Sequence, residues 1–278
     1  MLDVIRKLRR QPDRHLASPA VERLRYPHVE IFEWRPSRAG LPTGERNFGD
    51  HLSRIVSAGV LASRNRVEEE EVSRSRRLFT VGSVLHFTAE SDVVWGSGVN
   101  GKIAPERHLS HNLDIRAVRG PLTANFLRQR GLEVPSIYGD PARLLPTIFP
   151  NRFRRTEERD FVFVPNLHDF PQVHTLDNVI SPLWGWNRVV TEILRARLVL
   201  SSSLHGLVIA DAFGIPARYV RLSSTESPFK YEDYALGVGR PLLEPATSVA
   251  QGREMGGDIA PPYDPEPLLA AFPWDLWD

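Results

Sequence analysis

Residues Leu198 to Pro216 read LVLSSSLHGLVIADAFGIP. Leu198–Leu200 is an apolar run without alternation, as expected of a strand buried on both faces. It ends in Ser201-Ser202-Ser203, and a helix is predicted from Leu204 to Phe213. A second strand is predicted at Ala217–Arg221. A strand, a short polar turn, a helix and another strand make a βαβ unit, and such units build parallel sheets.

The same alternation extends in both directions. Upstream, strands are predicted at Val29–Trp34, Leu78–Val84, Val93–Gly96 and Ile115–Val118. A helix over Asn47–Leu61 places Ile55, Val56 and Val60 on one face, and another over Leu122–Gly131 ends on glycine. Between them EEEEVSRSRR (68–77) is a solvated charged stretch. After Phe149–Asp160 (FPNRFRRTEERD), which is polar, highly charged and bounded by proline, a strand is predicted at Phe161–Pro165 and a helix at Val189–Ala196. The expected fold class is α/β, with two Rossmann-like domains facing a cleft. Residues 1–148 form the first, 149–160 the linker and 161–260 the second. The segment 261–278, rich in Pro and aromatics, packs back on the body.

Composition removes whole classes of chemistry. The chain has 278 residues and no Cys, which excludes thiolate zinc sites, iron–sulfur clusters and cysteine nucleophiles. A net charge of +1 gives no global field for a nucleic-acid backbone. The nine His are scattered without ligand-like spacing, so no metal site is expected. Leu198–Ile215, the longest apolar region, is interrupted by serines, His205 and Asp211 and is no spanning helix. Residues 1–10 read as a frayed N-terminal helix with a solvated Arg face, the alternative being a basic helix resting on anionic lipid.

In an open α/β sheet, ligands bind beyond the carboxyl ends of strands, where helix N-termini offer free N–H groups. Ser202, Ser203, His205 and Gly206 stand at such a point, and the polar cluster ending an apolar strand favours an anion cradle over simple helix capping. Arg116 and Arg119 lie in DIRAVRGP beside a Gly-Pro turn, where Arg suits a bidentate grip on carboxylate or phosphate, the alternative being a surface ion pair. In NFGDHLS, Asn47, Gly49, Asp50 and His51 occupy a loop and first helical turn. Asp50 is there either an N-cap or, with His51, a general base or sugar ligand. Ser97 lies in WGSGVNGK, where the glycines permit close backbone approach to a ligand. Lys230, Tyr231, Asp233 and Tyr234 are read as a loop, either anion-binding or structural.

In order, NFGDHLS, VGSVLHF, VWGSGVNGK, IRAVRGP, YGDPARLLP, SSSLHGLVIADAFGIPA, FKYEDY and FPWDL resemble the polysaccharide pyruvyl transferase family, most of all its xanthan-type ketal pyruvyltransferases. The resemblance runs from Asn47 to the C-terminus, leaving out the Phe149–Arg159 linker. It implies a GT-B-like fold and transfer of the enolpyruvyl group of phosphoenolpyruvate onto two hydroxyls of a hexose, without a cofactor. It further implies His205 and Arg119 at the donor site. Many members have Arg before Leu-His-Gly where this chain has Ser203, so the donor's charge falls to Arg119, Arg116 and Lys230. His205 is then the expected general acid, or the group that neutralises the departing phosphate, and Asp50 the base on the sugar hydroxyl. Ser202, Ser203 and Gly206 complete the donor side, and Asn47, Gly49, His51, Ser97 and His168 the acceptor side. The acceptor is a saccharide, lipid-linked or polymeric, which implies a cytoplasmic protein with peripheral contact at the inner membrane face. The rival is a GT-B glycosyltransferase using a nucleotide sugar, although no ribose-binding carboxylate is evident after Phe213. A non-catalytic saccharide-binding protein is the third reading, disfavoured by Arg119, His205 and Lys230 together.

Overall fold

The computed structural model describes residues 24–35, 37–38, 41–42, 44–224, 226–241 and 244–278. The helix expected at residues 1–10 lies outside them. Strands β1 (Val29–Ile31), β4 (Arg76–Phe79), β5 (Val93–Trp95) and β6 (Asp114–Ala117) form a parallel sheet in the order β1-β4-β5-β6. Strands β2 (Ser37–Arg38) and β3 (Leu41–Pro42) pair as a small antiparallel ribbon. A second parallel sheet has the order β7-β8-β9, from Arg159–Val164, Ala196–Ser201 and Ala217–Tyr219. Its register aligns Val164, Ser201 and Tyr219, so all three strands end on one line.

The helices needed for the site are α1 (Phe48–Ala62), α2 (Pro121–Arg128), α3 (Trp186–Leu194), α4 (Leu204–Ala212) and α5 (Phe229–Gly237). Helix α1 buries Leu52, Val56 and Val60 on its core face. Helix α4 is buried at every position from Leu204 to Asp211, which explains its lack of a polar face. One hydrophobic cluster contains Val29, Leu78 and Trp95 of the first sheet and Val162 and Val199 of the second. Phe149 and Phe153 pack against it, with the Arg152 guanidinium over both rings and over Trp186. Arg159 and Asp160, read as linker, already belong to β7.

Two elements differ from expectation. The strand expected at Leu78–Val84 starts earlier and stops at Phe79, because the chain turns at Gly82, whose φ of +111° strongly favours glycine. Lys230, Tyr231, Asp233 and Tyr234 lie on helix α5, not on a loop. Among the described residues, no helix is long and apolar enough to cross a membrane.

Candidate active site

A cavity of about 310 Å³ opens at the carboxyl ends of strands from both sheets. From the first sheet, Asn47 and Asp50 follow β1, Ser83 follows β4, and Asn100 and Lys102 follow β5. From the second, Asn166 and His168 follow β7, Ser203 and His205 follow β8, and Glu226 and Lys230 follow β9. Parallel strands thus deliver their following loops to one edge, as expected for a ligand site in an open α/β sheet.

At the first turn of α1, Asn47 is the N-cap: its side chain accepts the Gly49 N–H at 3.2 Å. Asp50 is therefore released from capping and faces the cavity. Burial, reinforced by the negative charge of Glu33 and opposed by Lys230, pushes its carboxyl up to about 7. The His205 ring packs directly on Gly49, where a Cβ would lie 2.1 Å from Nδ1. Burial, with the positive charges of Lys230 and Arg119, drives His205 down to about 3. His205 is thus neutral at physiological pH in the unliganded protein and supplies no charge to an anion cradle. Behind it stands Asp140, fully buried and raised to about 6 by that burial.

The cations are arranged differently from expectation. Lys230 lines the cavity and pairs with Glu226 at 3.1 Å, and Lys102 reaches the other oxygen of Glu226 at 2.5 Å. Arg119 is wholly buried and does not line the cavity. Its Nε donates to Asp233 at 3.0 Å, one Nη to Ser83 at 2.5 Å and the other to the Val99 carbonyl at 2.7 Å. It therefore acts on the cavity through its field and through Ser83. Arg116 is away from the cavity, gripped by Asp114 and Asp275.

Ser203 is the N-cap residue of α4 but makes no side-chain cap bond, and it lines the cavity. Ser202 lies beneath: its hydroxyl accepts the Asn166 N–H at 3.1 Å, and its carbonyl accepts the Tyr231 hydroxyl at 2.7 Å. Gly206 is a packing position, where a Cβ would lie 2.3 Å from Ser201 Oγ. Ser97 is buried, donating to the Gly82 carbonyl at 3.0 Å, and His51 pairs with Glu33 at 3.2 Å; neither lines the cavity. His168 does line it. Sequence reasoning missed Lys102, Glu226, Asn166 and Asp140 as site residues. Lys102 was within reach, closing the glycine-bearing stretch after β5, whereas Glu226 and Asn166 stand in no motif. Among the described residues, no three metal-binding side chains gather to hold an ion.

Two parallel α/β sheets with a polar cavity beyond their strand ends are the architecture of a Rossmann-like α/β protein. Within that class, residues 91–224 are similar to the polysaccharide pyruvyl transferase family, whose family model they match. The succinoglycan biosynthesis protein ExoV of Rhizobium meliloti (strain 1021) is 29% identical over 227 residues, covering 76% of this chain and 68% of that protein. The uncharacterized protein L143 of Acanthamoeba polyphaga mimivirus is 25% identical over 209 residues, covering 68% and 69% respectively. A functionally uncharacterized Klebsiella pneumoniae protein of solved structure aligns with a TM-score of 0.45 and 11% identity, over 75% of this chain and 87% of that one.

Proposed function

We propose that this protein is a ketal pyruvyltransferase acting in exopolysaccharide assembly. It moves the enolpyruvyl group of phosphoenolpyruvate onto two hydroxyls of a hexose, in the polymer or its lipid-linked repeat unit, and releases phosphate. The family supports the pyruvyl group, and the succinoglycan role in ExoV's name supports the acceptor class. The observation that carries the donor is the convergence of Lys102, Lys230 and the N-terminus of α4 on a cavity that also holds Asp50 and His205. A small donor bearing a carboxylate and a phosphate needs such cations and a helix N-terminus.

The protonation states reverse the roles read from sequence. Asp50, which keeps a proton up to about pH 7, is the acid that protonates the donor's methylene carbon. The neighbouring carbon becomes cationic and is attacked by the first sugar hydroxyl, whose proton passes to neutral His205. The bond to the phosphate oxygen then breaks, with phosphate leaving towards Lys102 and Lys230. The second hydroxyl attacks the carbocation left by phosphate and passes its proton to the Asp50 carboxylate, closing the cyclic ketal and restoring the acid. We place the donor mainly against the 161–260 half, reached by Asp50 and Lys102 from the other side. The saccharide lies mainly against the 1–148 half, with Asn47 and, from across the cavity, His168 as sugar ligands.

The test measures phosphate release from phosphoenolpyruvate across a panel of hexosides. Acceptor-dependent release is expected, lowered roughly 10²–10⁴-fold in His205→Ala. Near-normal turnover by that variant would remove His205 from the mechanism. A thermal shift with nucleotide sugars but none with phosphoenolpyruvate would favour a glycosyltransferase.

A further inference from the structure

Two buried polar atoms without hydrogen-bond partners face each other behind the cavity. Nε2 of His205 and Oδ2 of Asp140 are both cut off from solvent and unpartnered, and they lie 3.9 Å apart. Buried polar atoms are nearly always paired, so two facing orphans point to a contact that forms in another state of the protein. The Asp140 carboxylate is anchored from the other side: its Oδ1 accepts the Ala142 N–H at 2.9 Å, capping the turn Pro141–Leu144. Neighbouring arginines do not occupy Oδ2. The guanidinium nitrogens of Arg119 are committed to Asp233, Ser83 and Val99, and Arg143 stacks over the Tyr263 ring at 4.3 Å. The other ring nitrogen, Nδ1, sits on Gly49 at the first turn of α1, whose Asn47 and Asp50 line the cavity.

We infer that Asp140 is a positioning residue for His205: it accepts the Nε2–H of the imidazole, which leaves Nδ1 as an unprotonated lone pair at the cavity. A carboxylate behind a histidine fixes the tautomer and ring orientation and stabilises the imidazolium that forms when the front nitrogen takes a proton. At 3.9 Å the two atoms are just beyond hydrogen-bond reach, but the buried carboxylate facing Nε2 already favours a proton there, and the gap shortens to a full hydrogen bond when the donor and acceptor fill the cavity. In the balanced step, the proton leaves the sugar hydroxyl for Nδ1 as the oxygen bonds the cationic carbon, and Asp140 stays ionised. The inference rests on the pyruvyltransferase reading for the identity of that hydroxyl, but not for the tautomer itself.

The experiment is nitrogen-15 NMR of the imidazoles in the full chain, with His205 assigned by its loss in His205→Gln. The wild type is expected to show His205 protonated at Nε2 and bare at Nδ1. Asp140→Asn retains an oxygen for the Ala142 N–H and can turn an amide donor towards Nε2, so the proton is expected to move to Nδ1. The same variant should lower kcat roughly 10²–10⁴-fold while the donor KM changes little. A wild-type His205 protonated at Nδ1 would overturn the inference, as would a tautomer ratio unchanged in a folded Asp140→Asn variant. The wild-type spectrum decides alone if the variant does not fold. The expected tautomers in a protein inactive on phosphoenolpyruvate would uphold the Asp140–His205 pair and count only against the pyruvyltransferase reading.

Discussion

Near neutral pH the Asp50 carboxyl divides between its two forms, because burial and Glu33 raise it to about 7 despite Lys230. The proposed mechanism uses the protonated form, so kcat/KM should hold below pH 7 and fall about tenfold per pH unit above it. Phosphoenolpyruvate also ionises near the low end of that range, since phosphate monoesters have a second pKa of about 6. Asp50→Asn separates the two effects: it should be slower throughout and lack the alkaline limb. A wild-type profile rising through pH 7 would assign Asp50 to the base role instead. Stability follows the same linkage. The folded pKa lies above the ordinary aspartate value of 3.8, so the contribution of Asp50 is complete below that value and is lost as pH rises through about 7. Asp50 and His205 are legible in sequence because polar side chains at a strand or loop end break an apolar pattern. The partners of the arginines are not. Arg116 meets Asp275 across 159 positions of chain, and the burial of Arg119 depends on α5 packing over it.

At the scale of elements, strand β8 and helix α4 were readable because an unbroken apolar strand, a serine turn and an apolar helix leave few alternatives. Helix α5 was not. Its buried face is Tyr231, Asp233, Tyr234 and Ala235, so the residues facing the core include a carboxylate and two hydroxyls. A pattern of apolar positions cannot register such a face. Its contacts are nevertheless specific: Tyr234 donates to Asp211 at 2.9 Å and Tyr231 to the Ser202 carbonyl. The fit of α4 on its sheet is equally specific at Gly206, where a Cβ would lie 2.3 Å from Ser201 Oγ and 2.9 Å from Val164 Cβ. Gly206→Ala should therefore lift the helix N-terminus proposed to serve the donor and destabilise the protein by about 1–3 kcal/mol. Urea denaturation measures the first-order loss, and the donor KM should rise in the same variant. An alanine that leaves both unchanged would mean that α4 can slide on β7 and β8 without consequence.

Across the whole molecule, the net charge of +1 conceals strong local charges, some of them held in buried ion pairs. Among the described residues the most deeply buried pair is Arg119 with Asp233, both side chains fully buried, which joins the end of the first sheet to helix α5. Asp233 also accepts the Thr123 N–H at 2.8 Å and the Thr123 hydroxyl at 2.7 Å, so it fixes the start of α2 as well. The backbones approach closely at the same place: a Cβ on Gly120 would lie 1.8 Å from the Asp233 carbonyl oxygen, and one on Gly237 2.4 Å from that of Arg119. Such a buried pair adds little relative to a well-packed apolar substitute, but removing one partner strands the other charge in a low-dielectric site. Arg119→Met is accordingly expected to cost about 3–5 kcal/mol of unfolding free energy. Adding Asp233→Asn should restore a large part of that loss, because the amide still accepts from Thr123 and no longer carries an unpaired charge. Equilibrium urea unfolding of both variants measures this coupling directly. A double variant no more stable than Arg119→Met would show that the stranded carboxylate is not the source of the loss. In that case the guanidinium bonds to Ser83 and Val99, which hold the loops after β4 and β5 around the cavity, would carry the stabilisation.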